Sequence, residues 1–319
     1  MTQLGLDSQP MAEVVVNVAS VPHRSPFRYP GGKTWLVPKI REFLGSLPDR
    51  PATFVEPFAG GAIVGLTVAF ESLADKVVLV ELDDQVASVW KTVLSDDAGW
   101  LIDKIGTFTC TLEAVQDEMS RTPNSTKQLA FQTIVKNRTY HGGILASGSG
   151  PLKNGENGKG ISSRWYPATI QRRLSDIHGI RQKLDFIEGD GITVIEQYSN
   201  SPDAVYFIDP PYTAAGKKAG RRLYNCFELD HDLLFKVVAG VRGEFVMTYD
   251  EAEGVRYLAS QYNFEATTVA MRNTHLATMN ELLISRDLDW ARSGTFDRRR
   301  DTDGTRSLFS KQTCLGCRT

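Results

Sequence analysis

Apolar residues along this chain fall into two kinds of pattern. Short β-branched and aromatic runs stand at Thr53 to Glu56, Lys76 to Glu81 and Val205 to Ile208. They predict strands covered on both faces, because a half-exposed strand would alternate with polar positions. Between them the spacing becomes helical, as at Trp35, Leu36, Ile40, Phe43 and Leu44, and again from Ala62. Val89, Trp90, Val93 and Leu94, then Leu112, Val115 and Met119, extend a helical pattern over Ala87 to Gln128. DFIEGDGITVIEQY reads as strand, turn and helix, and EFVMTYD and LATMNELLISR read as late strands in a hairpin-like finish. The fold class is therefore α/β. Met1 to Ser25 is expected to be a loosely ordered arm, with Val14 to Val18 as an edge strand, and the polar run beyond Trp290 a disordered tail.

Composition narrows this picture. A chain of 319 residues, 41% hydrophobic and 23% charged, can bury one large core plus an inserted lobe. A formal net charge of -2 carries no global basic signature, so a nucleic-acid partner has to be argued from local patches. The four scattered cysteines make no disulfide framework, and no basic-then-apolar leader is present, which points to a reducing cytoplasm. The apolar stretch Ala62 to Phe70 is less than half of the roughly 20 residues that a membrane helix needs. His141 and His178 lack ligand spacing, and the late CLGC lacks a second close pair, so no metal is expected.

The chemistry concentrates where AVYFIDPPY ends its strand. Pro210 and Pro211 cannot donate to a ladder, so the chain leaves the sheet there on a fixed course. Asp209, the Pro210 carbonyl and Tyr212 are thereby set at a carboxyl strand edge, where open α/β sheets bind ligands. A carboxylate and a carbonyl that accept two amine hydrogens, beside an aromatic face, suit a planar molecule bearing an exocyclic amine. Upstream, Gly31 and Gly32 precede a helix and let backbone amides approach a ligand. A phosphate-binding P-loop is excluded, since its first glycine would fall at Phe27. EPFAGG forms a strand, a turn at Gly60 and Gly61, and a helix. Glu81, about twenty residues beyond that turn, has the spacing of a ribose-binding carboxylate.

These strings resemble the Dam-type, class D12-like, DNA adenine-N6 methyltransferases over about Phe27 to Ser285. DPPY is similar to the family's catalytic motif, EPFAGG to its first cofactor motif, and YPGGK to its aromatic-x-Gly-Gly-Lys opening. The resemblance implies a Rossmann-like S-adenosylmethionine-dependent methyltransferase fold with an inserted DNA-recognition lobe, and needs no metal. It implies cofactor contacts from Tyr29, Gly32, Lys33, Glu56, Phe58, Gly60, Glu81, Asp190 and Asp209, with Lys33 also near the target base. Two departures stand out: the turn reaches Ile63 sooner than in the family, and Glu81 with Asp83 replaces an Asp and an Asn. Asp190 also suits a helix cap.

The partner implied is double-stranded DNA. Lys136, Arg138, Lys153, Lys159, Arg164, Arg172 and Arg173 are interleaved with Tyr140, Trp165 and Tyr166 in a glycine-rich segment, as a surface that binds phosphates and fills a disrupted base stack would be. NRTYHGG resembles a segment of the family's recognition insertion, so Lys136, Arg138 and Tyr140 are expected to contact DNA. Lys217, Lys218, Arg221 and Arg222 form a basic loop beside DPPY, placed to clamp an extruded nucleotide. The expected organisation is an arm over 1–25, a catalytic domain over 26–95 and 180–292, a recognition insertion over 96–179 and a tail over 293–319. The protein is expected to be a cytoplasmic, DNA-associated monomer of bacterial or phage type, and a partner restriction endonuclease is left open. Cytosine-N4 or RNA methylation shares the amine-holding logic, and a catalytically silent DNA-binding relative is the alternative of another class.

Overall fold

The computed structural model describes residues 21–28, 32–146, 148–211, 229–272 and 278–292. Seven strands among them form one sheet: β1 (Thr53–Glu56), β2 (Lys76–Glu81), β3 (Leu184–Glu188), β4 (Ala204–Ile208), β5 (Glu244–Asp250), β6 (Glu265–Arg272) and β7 (Thr278–Ser285). The order is β3-β2-β1-β4-β5-β7-β6, parallel from β3 through β5, with β7 antiparallel to both of its neighbours. This is an open Rossmann-like α/β sheet, and the parallel strands all end at one edge.

Alternate residues of each central strand feed opposite cores. Phe54, Val77, Leu79, Val205 and Phe207 enter one cluster, and Val55, Val78, Val80, Tyr206 and Ile208 the other. Both faces are covered, which is why these strands read as unbroken apolar runs. The first face carries α1 (Val37–Ser46), α2 (Ile63–Glu71) and α3 (Asp84–Leu94), and the second α8 (Gly191–Tyr198), α9 (His231–Ala239) and α10 (Glu253–Gln261). A last short helix, α11 (Asp289–Arg292), closes the described chain.

The expected helical stretch from Ala87 to Gln128 is broken into the rest of α3, then α4 (Ala98–Thr107), α5 (Leu112–Ser120) and the start of α6 (Thr126–Thr139). The breaks follow local chemistry: Thr111, for example, caps α5 by accepting from the Ala114 amide at 3.1 Å. With α7 (Pro167–Gly179) these helices share the first core, since Phe131, Ile134, Ile170 and Leu174 belong to the same cluster as Phe54 and Leu66. The hairpin at the end of the sheet joins β7 to β6, an element the pattern did not suggest, whereas EFVMTYD is β5, parallel to β4. Within the expected N-terminal arm, Val21 is buried, as is the adjoining Phe27; the edge strand at Val14 to Val18 and the tail over 293–319 lie outside the described residues. No helix among the described residues is long and apolar enough to cross a membrane.

The NRTYHGG segment ends α6 and clasps the chain just before Lys33. Buried Asn137 accepts from the Arg28 amide at 2.8 Å and donates to the carbonyls of Arg28 (2.9 Å) and Gly143 (2.8 Å). Gly143 has φ +74°, and a Cβ there would stand 2.6 Å from the Arg28 carbonyl oxygen, so only glycine fits. Arg138 is a correction to the expected DNA surface: it is 4% exposed, and its guanidinium donates to the Pro26 carbonyl. Trp165, expected to be exposed, is buried as well, while Tyr166 does face solvent. Asn137→Ala leaves three backbone groups without their partner and is expected to cost roughly 2–3 kcal/mol; a lower urea midpoint at unchanged m-value would show it, and an unchanged midpoint would contradict the clasp.

Candidate active site

Asp209 follows the last residue of β4, and the two prolines then carry the chain away from the sheet. Its Oδ1 accepts from Thr248 Oγ1 on β5 at 2.8 Å and lies 3.2 Å from Lys33 Nζ. The same ammonium stands 3.4 Å from Glu281 Oε2 on β7. Lys33 and Glu281 side chains are 5% and 4% exposed, whereas Asp209 keeps 23% of its side chain open. Burial pulls the Lys33 pKa down, but Asp209 and Glu281 more than offset this and hold it above the usual lysine value. A solvated lysine at a helix start is therefore ruled out.

The surroundings of Asp209 disfavour further negative charge. Burial raises the Glu56 carboxyl well above the usual range, the Gly65 amide at 2.7 Å opposes that, and Asp209 adds to it. Glu56, expected at the cofactor, thus turns onto the first turns of α2, where a Cβ on Gly65 would lie 2.4 Å from its Oε2. The Tyr249 hydroxyl is likewise pushed up, by burial and by Asp209.

A second group of residues gathers at the ends of β1 and β2. Gly60, at φ +46°, donates its amide to Glu81 Oε2 at 2.9 Å, and its carbonyl accepts from Trp90 Nε1 at 3.0 Å. Glu81 Oε1 accepts from the amides of Leu82 and Asp83, each at 2.9 Å, so one carboxyl ties the two loops together. Burial nevertheless dominates these donors and raises the Glu81 pKa to about 7. Asp190 caps α8, accepting from the Thr193 amide at 2.8 Å and its hydroxyl at 2.9 Å. Gly191 brings that helix close to the turn: a Cβ would sit 2.3 Å from the Pro57 carbonyl oxygen and 3.0 Å from the Phe58 ring. Gly32 is exposed immediately before the 3₁₀ turn that carries Lys33. Acceptors thus line the carboxyl edge from β3 to β4, an arrangement suited to a ligand bearing hydroxyls, amines and positive charge.

Other expected residues fall elsewhere. Lys136 Nζ donates to the Leu145 carbonyl at 2.6 Å and to Gln85 Oε1 at 3.3 Å, and burial lowers its pKa despite Asp83 and Asp84. With half-buried Tyr140 it lines a cavity of about 290 Å³ beside α3 and α6. Tyr29, Tyr212, Lys217, Lys218, Arg221 and Arg222 lie outside the described residues. No group of three metal-ligating side chains occurs among the described residues. Thr248 and Glu281 were missed by the sequence reading, although a glutamate inside the apolar run TMNELLIS is itself a signal, since a buried carboxylate requires a partner.

A family model described as D12 class N6 adenine-specific DNA methyltransferase matches residues 29–274. Similar solved structures include a putative RNA methyltransferase from Pyrococcus horikoshii, 12% identical over 81% of this chain and 84% of that one, with a TM-score of 0.35. An rRNA methyltransferase, aviRa, from Streptomyces viridochromogenes is 14% identical over 84% and 90%, with a TM-score of 0.35. A methyltransferase from Geobacter sulfurreducens is 10% identical over 81% and 80%, with a TM-score of 0.36. No curated protein matches the chain.

The raised Glu81 carboxyl has a measurable consequence. Its contribution to stability is complete below the usual 4.5 and is lost as pH rises through about 7, because the native state retains a proton that the unfolded chain releases. Glu81→Gln cannot titrate, so the fall in stability across that window is expected to flatten in the variant. Urea midpoints measured at several pH values would reveal this, and parallel pH profiles for the two proteins would contradict it.

Proposed function

This chain belongs to the D12 class N6 adenine-specific DNA methyltransferase family and is an S-adenosylmethionine-dependent methyltransferase; from that membership we propose that it methylates the N6 amine of an adenine flipped out of double-stranded DNA. The observation that carries the reading is Asp209: a partly open carboxylate at a strand edge, pinned on one oxygen by both Thr248 and Lys33.

The residues present fit the cofactor. Glu81 and Asp190 offer acceptors beside the Gly60 turn, whose positive φ and close packing to Gly191 shape a cradle at the sheet edge. When bound, S-adenosylmethionine supplies an electrophilic methyl group on a sulfonium. The protein's own task is then positioning, since no covalent intermediate with the base is needed. The N6 lone pair is delocalised into the adenine ring. Asp209 and the Pro210 carbonyl, by accepting both amine hydrogens, favour a tetrahedral nitrogen whose lone pair points outward to the methyl. Because Thr248 and Lys33 hold one carboxylate oxygen, Asp209 meets the amine without first reorganising.

A duplex hides that amine in a base pair, so the adenine leaves the stack at a cost of a few kcal/mol. Stacking on Tyr212, worth roughly 1–3 kcal/mol, would offset part of it, and Lys217, Lys218, Arg221 and Arg222 would hold the flanking backbone. The exposed Lys153, Lys159 and Arg172 remain candidates for further phosphate contacts, whereas Arg138 serves the fold.

Asp209→Asn keeps the shape of the side chain and leaves Glu281 beside Lys33. It is expected to reduce methyl transfer by about 10³-fold or more, on the scale of lost transition-state stabilisation, with a melting temperature close to wild type. The check is incubation with labelled S-adenosylmethionine and DNA, followed by digestion to nucleosides. Label in N6-methyladenine is the expected result for the wild-type protein. Label in N4-methylcytosine, label in RNA alone, or wild-type rates in the variant would overturn the reading.

A further inference from the structure

We propose that Glu281 is a positioning residue for methyl transfer, acting through Lys33 to fix where the Asp209 carboxylate stands when the target amine arrives. The inference rests on the role given to Asp209 above and assigns a part to a residue from the far end of the sheet.

The geometry is a relay of charge across three elements. Lys33 opens the 3₁₀ turn before α1, Asp209 follows the end of β4, and Glu281 lies within β7, paired to Asp250 of β5 and to Val269 of β6. Lys33 Nζ stands 3.2 Å from Asp209 and 3.4 Å from Glu281, so the ammonium is shared almost evenly. Glu281 is buried on a strand that packs on both sides, where its own backbone cannot follow a shifting side chain. It is therefore the rigid anchor of the relay, and the partly open Asp209 is the member whose position it sets.

Stability alone does not account for such an arrangement. A buried ion pair is commonly replaceable by apolar residues of similar volume without loss, whereas leaving one partner behind is costly. With Glu281 neutralised, the attraction on the Lys33 ammonium comes more from Asp209. The ammonium then closes on that carboxylate and competes with the amine for its lone pairs. The effect falls on the transition state, where the amine hydrogens are held most tightly, rather than on ground-state binding.

The test uses the full-length protein with Glu281→Gln, Lys33→Met and the double variant, assayed in single turnover with S-adenosylmethionine and mixed-sequence duplex DNA. Glu281→Gln is expected to slow transfer about tenfold or more, ~1.4 kcal/mol in the barrier, with cofactor and DNA dissociation constants within about twofold of wild type. The double variant should be no slower than Lys33→Met, since Glu281 acts through Lys33. Additive losses, or a loss matched by weaker cofactor binding, would reduce Glu281 to a structural part and overturn the proposal, as would a wild-type rate. A second readout needs no substrate: the Lys33 side chain, followed by nitrogen NMR, should lose its proton at lower pH in Glu281→Gln than in wild type, and identical titrations would also overturn it. If Glu281→Gln melts below the assay temperature, Glu281→Asp carries the same comparisons, with a smaller loss expected. A wild-type protein that labels no DNA would instead sink the adenine reading, and the Lys33 titration would still decide whether Glu281 holds the ammonium.

Discussion

A buried ammonium shared between two carboxylates organises this molecule. Lys33, Asp209 and Glu281 come from near the beginning, from the middle and from near the end of the described chain, and the interaction forms only when all three segments are in place. Removing charges from water costs several kcal/mol each, and that penalty is offset only by close, well-oriented partners. The same cost makes the cluster a strict reporter of assembly: a displaced strand or helix leaves an uncompensated charge in the interior. Thr248 adds a hydrogen bond from a neutral hydroxyl to the oxygen that faces Lys33, so the Asp209 carboxylate is restrained from two directions before any ligand arrives.

The second group of polar residues follows from the direction of the strands. Because β1, β2, β3 and β4 run parallel, their carboxyl ends meet at one edge, and each carries an acid at its last residue or just beyond it: Glu56, Glu81, Asp190 and Asp209. Glu56 and Glu81 use theirs partly on the protein itself, accepting amides of Gly65 and of Gly60, Leu82 and Asp83. An acid that stitches loops together can still meet hydroxyls, because a carboxylate has about four acceptor directions. The raised Glu81 pKa is the cost of seating that carboxyl beneath the loops, and it ties the order of this edge to pH.

Much of this was legible in the sequence, and the reasons differ by element. β1 and β2 were read to the residue because buried parallel strands are short apolar runs with polar ends. Asp209 was legible because two prolines dictate where the strand stops. The breaks between α3, α4, α5 and α6 were blurred, since helical periodicity continues across capping residues and only the Ser, Thr and Asp positions mark the interruptions. β6 was missed because EATTVAMR mixes small and polar residues, as an edge strand does. The Glu281 partnership could not be read at all, since nothing local to β7 specifies that its glutamate meets a lysine near the start of the fold.

The misreading of Arg138 shows how a motif can matter without touching a ligand. Counted by composition, NRTYHGG adds cations to a basic segment, yet its asparagine, arginine and second glycine all close on the backbone of residues 26–28. Those residues lie four or more positions before Gly32, which precedes the turn that carries Lys33. Arg138 bears its charge beside Arg28 and Arg173, and burial together with those neighbours pushes its pKa down. Such a side chain is poorly suited to attract phosphates and well suited to donate to the buried Pro26 carbonyl. The segment therefore acts through the main chain: it ties the backbone of residues 26–28 to the end of α6, a few positions before the lysine whose ammonium meets Asp209 and Glu281.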